Sequence, residues 1–249
     1  MSEQDVEIES NKEDNEPKEF EKCRWLIMSD IHSNLEALNA VLLTAKETGY
    51  DRIACLGDFV GYGPNPNEVV EWARGAPKDS IFILGNHDYS IANEEAYIED
   101  YNYNARLAVR KQRTMITEET RHFLKNLPME VVINDLHFIH GSPYQWGEYI
   151  HDQIDATYAM PFVKASKCFI GHTHRSVIWK DSFDKPKIIN VGSVGQPRDR
   201  NPMASFVIYD QCINTLEMTR VEYDIKTVQD KMKKLDISQH LIDRLKKGE

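Results

Sequence analysis

Residues 23–249 are predicted to form an α/β fold, and three features of the sequence carry that expectation. Short apolar runs alternate with stretches of helical periodicity, and the first three runs follow a β-α-β-α-β order. Five of the runs end in clusters of Asp, Asn and His, the position that lines the ligand crevice of an open α/β sheet. The crossovers between parallel strands are expected to be right-handed.

The first strand is Trp25-Leu26-Ile27-Met28, which stops at Ser29-Asp30. Asn34 suits the N-cap of a helix whose Leu35, Leu38, Val41, Leu42 and Ala45 repeat at helical spacing until Gly49 ends it. Arg52 to Leu56 is the second strand, ending in Gly57-Asp58. A Gly- and Pro-rich loop, Gly61 to Pro66, leads to a short helix around Glu68 to Ala73. Ser80 to Leu84 is expected as the third strand, running into Gly85-Asn86-His87-Asp88. From about Asn93 to Asn126 the pattern reads as helical, with Thr117 opening its last segment and Pro128 closing it. Val131 to Ile133 and Leu136 to Ile139 read as a hairpin around Asn134-Asp135, the second arm running into His140-Gly141. A helix is expected from about Asp152, and Lys167 to Ile170 is a strand that ends at Gly171-His172-Thr173-His174. Val177 to Trp179, Lys187 to Asn190, Ser205 to Tyr209 and Thr215 to Tyr223 supply further strands before a mixed-charge helical end from about Ile225. No repeat or linker interrupts this stretch, so one domain over 23–249 is expected.

Charge is unevenly placed along the 249 residues, whose net charge is −10. Residues 1–22 hold nine acidic and three basic side chains and lack apolar periodicity, so they are expected to be a disordered acidic tail. The mildly acidic remainder offers no global attraction to nucleic acid, which is not expected as a partner. No run approaches the roughly 18 apolar residues that span a bilayer, and the N-terminus lacks a secretory pattern, so a cytoplasmic protein off the membrane is expected. Cys23, Cys55, Cys168 and Cys212 show no C-x-x-C spacing, and packing as free thiols in a reducing compartment is the expectation.

The chemistry sits in the five clusters. Asp30 and His32 would face one way if strand geometry continued past Met28, and so would His172 and His174. Asp, Asn and His without Cys suit Mn²⁺, Fe²⁺ or Zn²⁺ and speak against a structural zinc knot. Taken singly, Gly57-Asp58 reads equally as a turn, Asn86-His87-Asp88 as a helix cap and His140 as a core histidine. Together, in order and always at a strand end, they point to one metal site.

In that order the blocks resemble the calcineurin-like metallophosphoesterase family, whose pattern is D-x-H, G-D, G-N-H-D/E, H and G-H-x-H. The resemblance covers nearly everything from Cys23 onward. Asp30-Ile31-His32-Ser33-Asn34 and Gly192 to Arg198 are similar to the small bacterial and archaeal phosphodiesterase-like branch. Val191 stands where that branch usually has proline and Arg200 where it usually has glycine, both at the substrate rim. The resemblance implies a four-layer α/β/β/α sandwich with two mixed sheets and two divalent transition-metal ions. One ion would be held by Asp30, His32, Asp58 and His174, the other by Asp58, Asn86, His140 and His172, with Asp58 bridging. Two cations about 3.5–4 Å apart clamp the phosphoryl oxygens and lower the pKa of a bridging water.

By the same resemblance His87 would give a proton to the leaving oxygen, with Asp88 orienting its imidazole; positioning of the phosphate alone is the alternative. Tyr62 and Arg198 are candidate substrate contacts and read equally as solvated loop residues. Arg106, Arg110, Lys111 and Arg113 read as a solvated basic face, with a cap over the site as the alternative, and His122, His137, His151 and His240 stay outside the site. The expected activity is dimetal hydrolysis of a phosphodiester, on a small phosphoester such as a nucleotide. A phosphomonoesterase, a dinucleoside polyphosphate hydrolase and a catalytically silent scaffold are the alternatives. Similar phosphoesterases often self-associate, so a homo-oligomer is compatible with the resemblance.

Overall fold

Alternation of side chains along each strand sorts the core into layers. In the computed structural model, which describes residues 23–249, β1 (Arg24–Met28) turns Trp25 and Ile27 to one side and Leu26 and Met28 to the other. The segment expected as an acidic tail, residues 1–22, lies outside the described residues. After β1 come α1 (Leu35–Thr48), β2 (Arg52–Cys55), α2 (Pro66–Arg74), β3 (Ile81–Phe82) and α3 (Asn86–Ala92). Next are α4 (Tyr103–Arg113), α5 (Glu118–Lys125), β4 (Glu130–Ile133), β5 (Leu136–Ile139), α6 (Gln153–Ala159) and β6 (Lys167–Ile170). The chain ends through β7 (Ser176–Lys180), β8 (Pro186–Val191), β9 (Ala204–Asp210), β10 (Thr215–Val221), α7 (Ile225–Lys234) and α8 (Gln239–Arg244).

Two five-stranded mixed sheets result, ordered β10-β9-β1-β2-β3 and β4-β5-β6-β8-β7. Trp25, Ile27, Ala54 and Val207 of the first sheet pack on Phe138, Phe169, Ile189 and Val191 of the second. Leu26, Met28 and Cys55 instead face Leu38, Val41 and Val69 of α1 and α2, while Cys168, Ile170 and Ile188 face Ala156 and Ala159 of α6. Helix, sheet, sheet and helix are thus stacked in four layers, as the resemblance implied. β1, β2 and β3 are parallel, as are β5, β6 and β8, so their C-terminal ends deliver six loops to one edge.

Several expectations change. The third strand pairs only over Ile81–Phe82, because the Leu84 N–H turns away to the Pro128 carbonyl at 2.8 Å. Within the helical region expected over 93–126, Thr117 caps α5 as expected, but the part before it is only α4, capped by Asn102, while a separate α3 begins on Asn86 itself. Arg106 and Arg110 pair with Glu99, but Arg113 is not a solvated group: its guanidinium donates to the Ser90 and Asn93 carbonyls at the end of α3. Cys55 and Cys168 are buried free thiols as expected, whereas Cys23 and Cys212 form a disulfide, 5.5 Å apart at Cα. Spacing gave no sign of that bond, which follows from β9 lying antiparallel to β1 and ending beside Cys23, where Gln211 donates to the Cys23 carbonyl. No helix among the described residues is long and apolar enough to cross a membrane.

The loop after β8 packs so closely on the loop after β1 that only glycine fits. Gly195 donates to the Asp30 carbonyl at 2.9 Å, and a Cβ on it would sit 1.9 Å from the Ile31 carbonyl oxygen. Gly195→Ala is therefore expected to cost about 2 kcal/mol or more of stability. Urea unfolding checks this; a midpoint equal to the parent's would show that the two loops separate at no cost.

Candidate metal centre

Each cluster identified in the sequence lands at the shared strand edge, but not with strand geometry. Asp30, His32, Asp58, His172 and His174 have φ of 54°, 48°, 54°, 69° and 61°, all in the left-handed region. The expected i, i+2 alignment is thus corrected: the chain coils tightly, which puts Asp30 and His32 in one donor group and His172 and His174 in two different ones. Such backbone costs on the order of 1 kcal/mol or more per residue and persists only where the surroundings hold it. Here the N–H groups of Asp30 and His32 donate to the Gly57 and Asp58 carbonyls, and the His172 N–H donates to Asp30 Oδ2 at 2.9 Å. The loops after β1, β2 and β6 are in effect stitched to one another.

The imidazoles are oriented through their outer nitrogens. Nδ1 of His32, His140 and His174 meets the carbonyls of Val60, Leu56 and Gln196 at 3.0, 2.6 and 2.6 Å. A carbonyl can only accept, so Nδ1 carries a proton in each; in His32 and His174, which burial keeps neutral, Nε2 presents its lone pair inward, whereas His140 holds a second proton on Nε2. His172 is reversed: Nε2 meets the Gly147 carbonyl at 3.0 Å, leaving Nδ1 for the interior, and its ring stacks on Tyr149 at 3.9 Å. Asn86 turns Oδ1 to His140 Nε2 at 3.1 Å because its Nδ2 donates to the Tyr101 hydroxyl at 2.9 Å.

Two groups of donors converge. The ligand atoms of Asp30, His32, Asp58 and His174 lie within 4.8 Å of one another, as do those of Asp58, His140 and His172. All these side chains are buried, and Asp58 belongs to both groups. Asp58 Oδ2 lies 3.6 Å from His32 Nε2 and 3.4 Å from His140 Nε2, while its Oδ1 accepts from the His87 N–H. Asp30 Oδ1 is buried without a hydrogen-bond partner, 3.3 Å from His174 Nε2. His32 Nε2 and His174 Nε2 face each other at 3.1 Å, two lone pairs in conflict. A cation resolves that conflict, since two nitrogens each about 2.1 Å from one ion lie about 3 Å apart. The donor set fits a divalent transition metal in each group.

Charge in the cluster is concentrated on one proton. Burial pushes His32 and His174 well below the ordinary histidine pKa, and burial together with the His140 charge takes His172 to about 3. Burial opposes charge on His140 as well, but the Asp58 and Asp30 carboxylates outweigh it and raise its pKa to about 10. Burial also works against the Asp58 carboxylate, yet His140 and His87 hold it well below the usual carboxylate range.

A family model of the calcineurin-like phosphoesterase superfamily domain matches residues 24–212. The chain belongs to that superfamily. It is similar to an uncharacterised protein of Methanocaldococcus jannaschii, 37% identical over 245 residues that cover 90% of this chain and 98% of that one. Among solved structures it resembles a metallophosphoesterase from Sphaerobacter thermophilus, 34% identical with a TM-score of 0.78, covering 91% of this chain and 99% of the other. It shares its fold with a hypothetical protein from Pyrococcus horikoshii, 23% identical with a TM-score of 0.81, covering 91% and 98%.

Around the candidate metal centre, the remaining predicted residues take distinct places. His87 is buried at the rim of the cluster, its ring 5.1 Å from His32 and 4.6 Å from Tyr62, with Nδ1 unpartnered. Burial lowers its pKa to about 4. No hydrogen bond joins Asp88 to that Nδ1: its Oδ1 accepts from Val60 and its Oδ2 from Gly85, both at 3.1 Å, so Asp88 ties the loop after β2 to the start of α3. Tyr62 and Arg198 both line a cleft of about 560 Å³ that opens over Asp58, Asn86, His172 and His174. His137 turns away from the site and bonds Glu130 at 2.9 Å. Two contributors were not singled out in the sequence. Tyr101 fixes the Asn86 amide, and buried Gln112 bonds Ser33, Gly61 and Gly63, holding the His32 and Asp58 loops together. Neither has a sequence signal, because each acts from a helix or loop far along the chain.

Below pH of about 10 the His140 ring holds a proton that an incoming ion must displace, so metal uptake is expected to release protons at pH 7–8. The sign follows from the raised pKa: the unfolded histidine is mostly deprotonated at pH 8 and the folded one is not. Apparent affinity for Mn²⁺ should therefore rise with pH between 6.5 and 9. Titration calorimetry of chelator-treated protein in buffers of different ionisation enthalpy reads the proton count; a count of zero would contradict the assignment.

Proposed function

We propose that the protein is a metal-dependent phosphodiesterase whose two ions share Asp58. The observation that carries the reading is that shared carboxylate, placed in both donor groups at the floor of an open cleft. Asp30, His32 and His174 complete one set; Asn86, His140 and His172 complete the other. When bound, such a pair of ions neutralises phosphoryl oxygens and supplies an activated water.

The chain's own residues do the rest. The carbonyls of Val60, Leu56 and Gln196 keep the imidazoles aimed, so the donor geometry is set before substrate arrives. His87 stands beside the cluster with a free ring nitrogen and is assigned to the leaving oxygen, to which it delivers a proton. Its ring is neutral at rest, and the negative charge of a bound phosphoester offsets the burial that keeps it so. A preference for diesters is supported by the cleft wall, where Tyr89, Tyr97, Tyr101, Trp146 and Tyr149 offer aromatic surface for the organic groups a diester carries. One wall is itself ordered, with Tyr89 and Trp146 packed edge to face at 6.1 Å.

Mn²⁺-loaded protein is expected to cleave bis-p-nitrophenyl phosphate faster than p-nitrophenyl phosphate. His87→Ala should lose about 10²–10⁴-fold on diesters with alkyl leaving groups and much less on p-nitrophenyl esters. An equal loss across leaving groups would assign His87 to positioning instead. A monoester preference would overturn the diester reading.

A further inference from the structure

We propose that Arg198 and Arg244 form a second anion site beside the metal centre, which holds a phosphate of the substrate other than the one being cleaved. The inference rests on the phosphoesterase reading and narrows its substrates to esters with two or more linked phosphates.

Arg198 leaves the loop after β8, where its backbone N–H donates to the His174 carbonyl at 3.0 Å. Arg244 comes from α8 at the far end of the chain. Their guanidinium carbons lie 5.8 and 5.1 Å from the centre of the same ring, that of Tyr62. Tyr62 in turn packs on His32 at 4.8 Å and on His87 at 4.6 Å, so both charges flank the catalytic cluster. Arg198 also lines the cleft itself.

Among the described residues, no carboxylate pairs with either arginine. Asp199, the carboxylate next to Arg198, is taken by Arg220. Arg244 donates to the neutral Gln196 amide, and its buried Nε has no partner. Burial and the Arg198 charge push the Arg244 pKa down to about 10, a cost that no carboxylate among the described residues relieves. Yet the position is firmly built. Leu241, Ile242 and Leu245 of the α8 segment are buried in one cluster with Tyr62 and Met232. The Arg200 N–H donates to the Gly248 carbonyl at 2.9 Å, and a Cβ on Gly248 would lie 2.6 Å from the Asn201 nitrogen. The loop of Arg198 and the tail of Arg244 are therefore locked together.

Two guanidiniums without an ion pair among the described residues, both beside Tyr62, match a phosphate, whose oxygens each can grip in a fork. A simple diester has one negative charge, which the metals meet. A linked second phosphate is what the arginine pair has left to bind.

The test compares binding of inorganic pyrophosphate and orthophosphate to the full-length Mn²⁺-loaded protein by calorimetry. The parent is expected to prefer pyrophosphate at least tenfold, and Arg244→Gln to lose that preference. Arg198→Gln should do the same, which guards against a folding defect in one variant; Arg244→Lys should recover part of it. Steady-state kinetics give the parallel readout: in Arg244→Gln the KM for a dinucleoside polyphosphate should rise at least tenfold relative to that for bis-p-nitrophenyl phosphate. A parent with no pyrophosphate preference, or folded variants that keep it, would overturn the proposal. Absence of turnover on any ester with the pyrophosphate preference intact would instead refute the phosphoesterase reading and leave the anion site standing.

Discussion

The Asp58 carboxylate and the imidazoles turned toward it set the terms for the rest of the structure. Buried lone pairs that face each other at 3.1 Å, as those of His32 and His174 do, are unfavourable in a protein interior unless something positive lies between them. The chain accepts this arrangement and reinforces it. Left-handed backbone at five of the proposed ligands is held by hydrogen bonds that run from one strand-end loop to the next, and glycines at 57, 85 and 195 allow the loops to touch. At Gly85 an added Cβ would lie 2.1 Å from Asp58 Oδ1, so the carboxylate is fixed by contact as well as by its bond to the His87 N–H. Local strain of this kind is tolerated where two stacked sheets supply a rigid support.

That support also explains how chemistry is divided around the centre. The parallel strands bring the ligands, whereas the helices after β3 and the C-terminal helices bring what surrounds them. α3 opens on Asn86 and carries His87 to the rim, Tyr101 and Gln112 brace the loops from the side, and α8 brings Arg244 over Tyr62. Loops and late helices are where related folds differ most readily, because they lie outside the packed sheets. The metal site is thus set by the sheets and the substrate's surroundings by the elements that follow them.

The sequence made the sheets legible because burial on both faces writes continuous apolar runs, and it made α1 legible because Asn34 and Gly49 punctuate it. The helical stretch after the third strand was not legible in detail. α3 ends at Ala92 and α4 starts only after its Asn102 cap, and Arg113 of α4 reaches back to carbonyls at the end of α3. The ligand candidates were readable from their order at strand ends, although the reason offered for Asp30 and His32, a continued strand, is not how the chain brings them together. Asp88 shows a further limit: next to His87 in sequence, it spends both oxygens on Val60 and Gly85. Tyr101, Gln112 and Arg244 act through partners remote in the chain, and no local pattern announces such contacts. The Cys23–Cys212 bond was hidden for the same reason.

The most direct test of the shared carboxylate is elemental analysis of Mn²⁺-loaded protein after removal of free metal. Two ions per chain are predicted for the parent, and one or none for Asp58→Asn, which keeps the side-chain shape but removes the charge that both donor groups use. A parent that retains no metal, or an Asp58→Asn variant that still retains two, would contradict a centre built on Asp58.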